Sequence, residues 1–315
     1  MFARFLGVLP ILLFLQPVVS FAAAVDTVVP QTCTYVHRDG KPLLLDVYRP
    51  VVPRDDSACV VYLFGGGFVN GSRTEASVRS YCQSLARRGF VAVAIDYRLH
   101  LAAVNADTVR LGNVQRIFRD AINIAASDAA AAVAHLCRNA NRYGIATNRI
   151  VLCGGSAGAI SVLQLDYCRA NSLPPALELP LGFRPAAVVA YAGAVYADYG
   201  RPKYLSAPAP TFFLHGDADK IVNYRRFPPL IPSANYGAKR LHRIFHRNGY
   251  PHWFFTFKGI GHEVASLHNY TIEEFVAFVD ATLRGRNMSY DAKVSDSLVV
   301  PTEWTKMNVF DLYRK

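Results

Sequence analysis

The sequence contains no run of lysines or arginines, no cysteine–histidine cluster with zinc spacing, no internal repeat and no low-complexity linker. Each absence excludes something. The formal charge is +11 and the pI near 9.5, yet the basic residues are spread along the chain. That reads as a solvated basic surface and not as a nucleic-acid interface. No structural metal is implied by the spacing, and no cofactor. Without repeats or linkers, one large domain is the economical organisation for a chain of this length. Charged residues make up 18% against 52% hydrophobic, which excludes wholesale disorder.

What is present begins with a leader. Met1–Arg4 is weakly positive, Phe5–Val19 is apolar but interrupted by Pro10 and Pro17, and Phe21–Ala24 ends in small residues. These are the three regions of a secretory signal peptide cleaved after Ala24. A membrane anchor is the weaker alternative, because the apolar core is short and no stop-transfer pattern follows. No cysteine closes the segment, so lipid attachment is not suggested. The expectation is export, periplasmic or secreted, with no stable membrane insertion. The six cysteines do not compel disulfides in that compartment. Cys82 and Cys137 fall on apolar helical stripes and Cys153 in an apolar strand run, so these three read as buried thiols. Cys33, Cys59 and Cys168 stay open.

Along the mature chain, two strands flank the turn pair Asp39-Gly40 and are followed by alternating strands and helices. Strands are expected at Cys59–Phe64, Phe90–Ile95, Arg149–Cys153, Ala186–Ala192, Thr211–Leu214 and Trp253–Phe257. Helices are expected near Glu75–Arg88, Val114–Ala140, Ala157–Arg169, Lys239–Asn248 and Ile272–Leu283. Nearly continuous apolar strands in this alternation predict an α/β fold, with a mostly parallel sheet of about eight strands and helices on both faces.

Four segments carry chemistry. Gly154-Gly155-Ser156-Ala157-Gly158 joins a buried strand to a helix, where small neighbours let a serine project from a sharp turn. The helix that follows directs its N-terminal N–H groups at developing negative charge. Phe64-Gly65-Gly66-Gly67 follows the third strand, and its glycines allow backbone N–H groups to approach a substrate oxygen. A phosphate loop is the rival reading, but no G-K-[ST] follows. His215-Gly216-Asp217-Ala218-Asp219 ends another strand and offers two carboxylates able to orient a histidine. Gly259-Ile260-Gly261-His262 is a glycine-bracketed loop after a later strand. The order Ser156, Asp219, His262 is that of a nucleophile–acid–base triad on an α/β sheet; spacing alone does not choose between Asp217 and Asp219. Asp96 and Asp128 read as structural, Asp96 supporting a turn with Arg98 and Asp128 lying in a helix. Tyr191, Tyr196, Tyr199 and Tyr204 read first as core or capping residues, with a sugar-stacking wall as the less favoured alternative.

These segments, with Leu43–Pro50, Asp96-Tyr97-Arg98-Leu99 and Tyr143-Gly144-Ile145, resemble the α/β-hydrolase esterases related to the hormone-sensitive-lipase family and to bacterial polysaccharide-deacylating esterases. The resemblance spans most of the mature chain. It implies Asp219 as the triad acid and backbone donors at Gly66, Gly67 and Ala157 as the oxyanion hole. One departure stands out: that family usually has histidine before the three glycines, and here it is Phe64. The expectation is a signal peptide over 1–24, a hydrolase domain over 25–286, and an extension over 287–315 of unreadable role that contains Trp304, Phe310 and Tyr313. The expected substrate is a small-molecule or polysaccharide ester with a short, acetyl-like acyl group, because little chain lies between Ala192 and Thr211 to build a lid. A peptidase or amidase of the same fold and a catalytically silent carbohydrate-binding member are the alternatives.

Overall fold

The computed structural model describes residues 28–110, 112–197, 201–225, 234–286, 288–309 and 311–313. The expected signal peptide, Tyr199 and Phe310 lie outside the described residues. Among the described residues eleven strands are formed: β1 (Gln31–Arg38), β2 (Lys41–Tyr48), β3 (Cys59–Leu63), β4 (Val91–Ile95), β5 (Ile150–Gly155), β6 (Ala187–Tyr191), β7 (Ala194–Ala197), β8 (Thr211–Gly216), β9 (Ala234–Gly237), β10 (His252–Phe257) and β11 (Tyr290–Val294). The helices are α1 (Ala76–Arg87), α2 (Val114–Arg138), α3 (Ala140–Tyr143), α4 (Ala157–Ala170), α5 (Ala238–Arg247), α6 (Ile272–Leu283) and α7 (Glu303–Lys306).

Nine strands make one sheet in the order β1-β2-β4-β3-β5-β6-β8-β10-β11. Only β2 runs against its neighbours; every pair from β4 to β11 is parallel. Strands β3, β4, β5, β6 and β8 are buried along their whole length. A strand apolar on both sides must be covered on both sides, and consecutive residues of β8 show the two covers. Phe213 packs on Phe245 of α5, while Phe212 packs on Phe278 of α6. Because successive side chains point to opposite faces, α5 and α6 lie on opposite faces. Tyr81 of α1 contacts Phe275 of α6, placing those two helices together. Tyr204 bridges Tyr167 of α4 and Phe245 of α5, grouping that second pair.

The expected sheet is present with one strand more. The additional strand β11 has the exposed or half-buried sequence Tyr-Asp-Ala-Lys-Val and no apolar run to announce it. Strands β7 and β9, four residues each, pair in a separate small sheet. The long helix expected to Ala140 stops at Arg138, and the short α3 after it closes on left-handed Gly144. All six cysteines are free; Cys82 and Cys153 are buried as expected, but Cys137, in the last turn of α2, is only half-buried.

A second correction concerns the carboxylates. Asp96 does not serve Arg98; it accepts from Arg73 Nη1 at 2.7 Å. Arg98 turns instead to the fully buried Asp128, which also accepts the Arg98 backbone N–H at 2.9 Å. A buried carboxylate must be paired to be tolerated, and Asp128 on α2 thereby ties the helix to the chain after β4.

Candidate active site

The elbow after β5 is under steric compulsion. Ser156 holds φ 52° and ψ −120°, a region that costs a non-glycine residue about 1–3 kcal/mol and is kept only when its surroundings enforce it. They do so by crowding. A Cβ on Gly158 would lie 2.1 Å from the Leu63 carbonyl oxygen and 2.6 Å from that of Phe64, so β3 and α4 approach as closely as they do because residue 158 has no side chain. Gly158→Ala is expected to destabilise the fold by about 3 kcal/mol through overpacking. Urea unfolding of the two proteins measures this, and equal midpoints would contradict it.

Three side chains from three loops converge at the carboxyl ends of the strands. Ser156 Oγ lies 2.8 Å from His262 Nε2, and His262 Nδ1 lies 2.8 Å from Asp219 Oδ2. Asp219 Oδ1 accepts the backbone N–H groups of Ile221 and Val222 at 2.9 and 3.0 Å. Asp217 is used differently: its carboxylate accepts the N–H of Gly259 at 2.7 Å and braces the histidine loop from outside. The geometry thus separates the two aspartates that spacing left open. Burial pushes the Asp219 carboxyl upward, but the attraction of His262 and the hydrogen bonds from His215 and His262 outweigh it. The net shift is well below the usual carboxylate range.

His215 was not singled out from the sequence. It is fully buried at the end of β8, with Nε2 2.8 Å from the Val222 carbonyl and 3.3 Å from Asp219 Oδ2. A carbonyl accepts only, so Nε2 carries the proton and shares it with Asp219. The available signal was its place two residues before Asp217 at a strand end.

The glycine loop after β3 faces the serine. Gly66 has φ 119°, and a Cβ there would fall 2.0 Å from the Asn70 carbonyl oxygen, which only glycine permits. The loop turns tightly, with the Gly66 carbonyl accepting from the N–H groups of Val69 and Asn70. Gly66 and Gly67 line the cavity beside Ser156, and Ala157 opens α4, where backbone N–H groups have no partner within the helix. Phe64 answers the missing histidine. Its ring stacks on Tyr97 at 4.5 Å and 25°, and the Tyr97 hydroxyl donates to the Phe64 carbonyl at 2.8 Å.

The remaining wall comes from the segment that the sequence left unread. Glu263, next to His262, accepts from the backbone N–H groups of Thr302 and Thr305 at 2.6 and 3.0 Å and from both threonine hydroxyls. The Thr305 hydroxyl also accepts the Gly261 N–H at 2.8 Å. So clamped, the strap carries Trp304 to 6.0 Å from the His262 ring. It then brings the Tyr313 hydroxyl to donate to the Gly67 carbonyl at 3.0 Å. Trp304, Leu312 and Tyr313 complete a cavity of about 300 Å³ with Ser156, His262 and the glycine loop. That is the small end of ligand cavities. Tyr191, Tyr196 and Tyr204 are absent from its lining; Tyr191 and Tyr196 are buried core residues, and Tyr204 packs among Tyr167, Phe245 and Tyr250.

Comparison with known proteins places the fold. The BD-FAE family model matches residues 45–165, which include the glycine loop and the elbow serine. No curated protein matches the sequence. Among solved structures, native esterase 2 from the planctomycete Thermogutta terrifontis aligns at 21% identity and a TM-score of 0.57, covering 82% of this chain and 94% of its own. The same esterase phosphoramylated by tabun aligns at 21% and 0.56, covering 79% and 96%. Its propionate-bound form aligns at 22% and 0.54, covering 80% and 96%. Likeness at this identity carries the fold, and the fold is that of the α/β-hydrolases.

Proposed function

We propose that this α/β-hydrolase chain is an exported serine esterase acting on short-chain acyl esters, with carbohydrate-borne acetyl groups as the substrate class. The observation that carries the reading is the relay from Ser156 through His262 to Asp219, with both links at 2.8 Å, opening on a glycine loop. In this reading His262 Nε2 takes the proton of Ser156 as Oγ attacks the ester carbonyl. Asp219 keeps the other ring nitrogen protonated and balances the imidazolium. The N–H groups of Gly66, Gly67 and Ala157 receive the oxyanion, each donor contributing about 3–4 kcal/mol in comparable sites. His262 then protonates the departing alcohol and later activates the water that releases the acid.

The small cavity favours a short acyl group. Trp304, 45% exposed beside His262, offers a flat aromatic face of the kind on which a sugar ring stacks. The leader over residues 1–24 supports export to where such polymers are found.

Hydrolysis of p-nitrophenyl esters of rising acyl length tests both the activity and the wall. Turnover is expected to peak at acetate. A chain ended at Pro301, lacking the strap, is expected to lose at least about tenfold of its preference for acetate over octanoate, the discrimination a single methylene can give. A peak at long acyl chains in the intact protein would overturn the short-acyl reading, and an unmoved preference in the shortened chain would show that the strap is no wall.

A further inference from the structure

At the opposite end of β10 from the catalytic loop, α5, β10 and the edge strand β11 bring together imidazoles and a carboxylate that the esterase reading does not use. His252 opens β10 and is fully buried. Its Nδ1 lies 2.8 Å from the Tyr250 carbonyl, which can only accept, so this nitrogen carries the proton. His252 Nε2 is then a lone pair, and it lies 3.0 Å from Nδ1 of His242 on α5. His242 must therefore donate from Nδ1, which leaves its Nε2 lone pair pointing outward. What that lone pair meets is another acceptor: Asp291 Oδ2 on β11, at 3.5 Å.

Two acceptors facing each other need a positive charge between them. A proton would draw a charge-assisted pair to about 2.7–2.9 Å, and the gap is wider. A metal fits the spacing better. Ligands about 2.0–2.1 Å from a tetrahedral ion stand roughly 3.3–3.5 Å apart. The relay through His252 to the Tyr250 carbonyl is the arrangement that fixes the tautomer of a metal-bound histidine. His242, His252 and Asp291 bring their donor atoms within 4.8 Å of one another; exposed His246, at i+4 from His242 with ring centres 6.1 Å apart, would reach the ion by turning its side chain. Histidines at i and i+4 share a helix face and can hold one ion.

We propose that His242 Nε2, Asp291 and His246 form a binding site for a divalent transition metal of the zinc class, with His252 orienting His242 from behind. Imidazole with carboxylate suits zinc, nickel and copper better than magnesium or calcium. The ion would join α5 to β11, the strand that begins the segment leading to the strap. Its role is a staple and not catalysis, so the site stands or falls apart from the esterase reading.

The test is thermal unfolding of the full chain after EDTA treatment, followed by titration with zinc chloride. Cobalt(II) serves as the spectroscopic probe. The wild-type midpoint is expected to rise by about 4 °C or more under saturating zinc, with cobalt developing visible absorption at one ion per chain. His246→Ala and Asp291→Asn change exposed residues, so their midpoints in EDTA should not fall below wild type. Each is expected to weaken zinc binding at least tenfold. A wild-type midpoint indifferent to zinc would overturn the proposal, and so would zinc stabilisation undiminished in both variants.

Discussion

Ser156→Ala is expected to lower kcat on p-nitrophenyl acetate by about 10⁴–10⁶-fold, leaving only the residual rate that an oxyanion hole and binding supply alone. The substitution is clean because alanine keeps the Cβ that the strained φ of 52° already accommodates and removes only the Oγ facing His262 Nε2. No acyl-enzyme can form without that oxygen. The unfolding midpoint should not fall, since one hydrogen bond is lost from a residue held under strain. Turnover within tenfold of wild type would remove Ser156 from the mechanism and with it the esterase assignment.

Asp219→Asn should cost nearly as much, about 10⁴-fold in kcat, for a reason of proton placement. The backbone N–H groups of Ile221 and Val222 both point at Oδ1. An asparagine there must turn its carbonyl oxygen to them and its amide NH₂ to the position of Oδ2. That NH₂ would donate to His262 Nδ1, forcing the ring proton onto Nε2, where it faces Ser156 and cannot accept the serine's own. It would also confront the Nε2–H of His215, 3.3 Å from Oδ2 in the native site. Circular dichroism should show an unchanged fold. A loss under tenfold would mean that Asp219 orients nothing that matters to the rate.

The sheet was legible because its strands are buried on both sides, and unbroken apolar runs such as Val91–Ile95 need no partner to be recognised. The serine, the histidine and the glycine loop were legible for a related reason: each sits at a strand end and is bracketed by residues whose smallness the backbone demands. What escaped the sequence has no such marks. Strand β11 alternates half-buried with exposed residues at an edge, where pairing to β10 and not composition makes it a strand. The strap is held by Glu263 accepting from Thr302 and Thr305, a bond set spanning about 40 residues that no local pattern encodes. Spacing alone left the choice between the aspartates open for the same reason, since only the folded loop shows Asp217 turned to Gly259. The histidine–aspartate cluster is drawn from α5, β10 and β11, and Asp291 lies far from the histidines in sequence.

The aromatic brace of the glycine loop has a consequence for how the site meets acid. A histidine at position 64 would bring a proton equilibrium into the loop, and the cradle's shape would follow the pH. Here the support is a stacked ring and the phenol of Tyr97, which burial pushes well above its ordinary range, so it keeps donating throughout the range in which a protein works. Asp219, held below the usual carboxylate range, likewise keeps its charge. In the proposed mechanism, the triad and the cradle beside it therefore divide their labour between one group that must gain and lose a proton at every turnover and surroundings that never do.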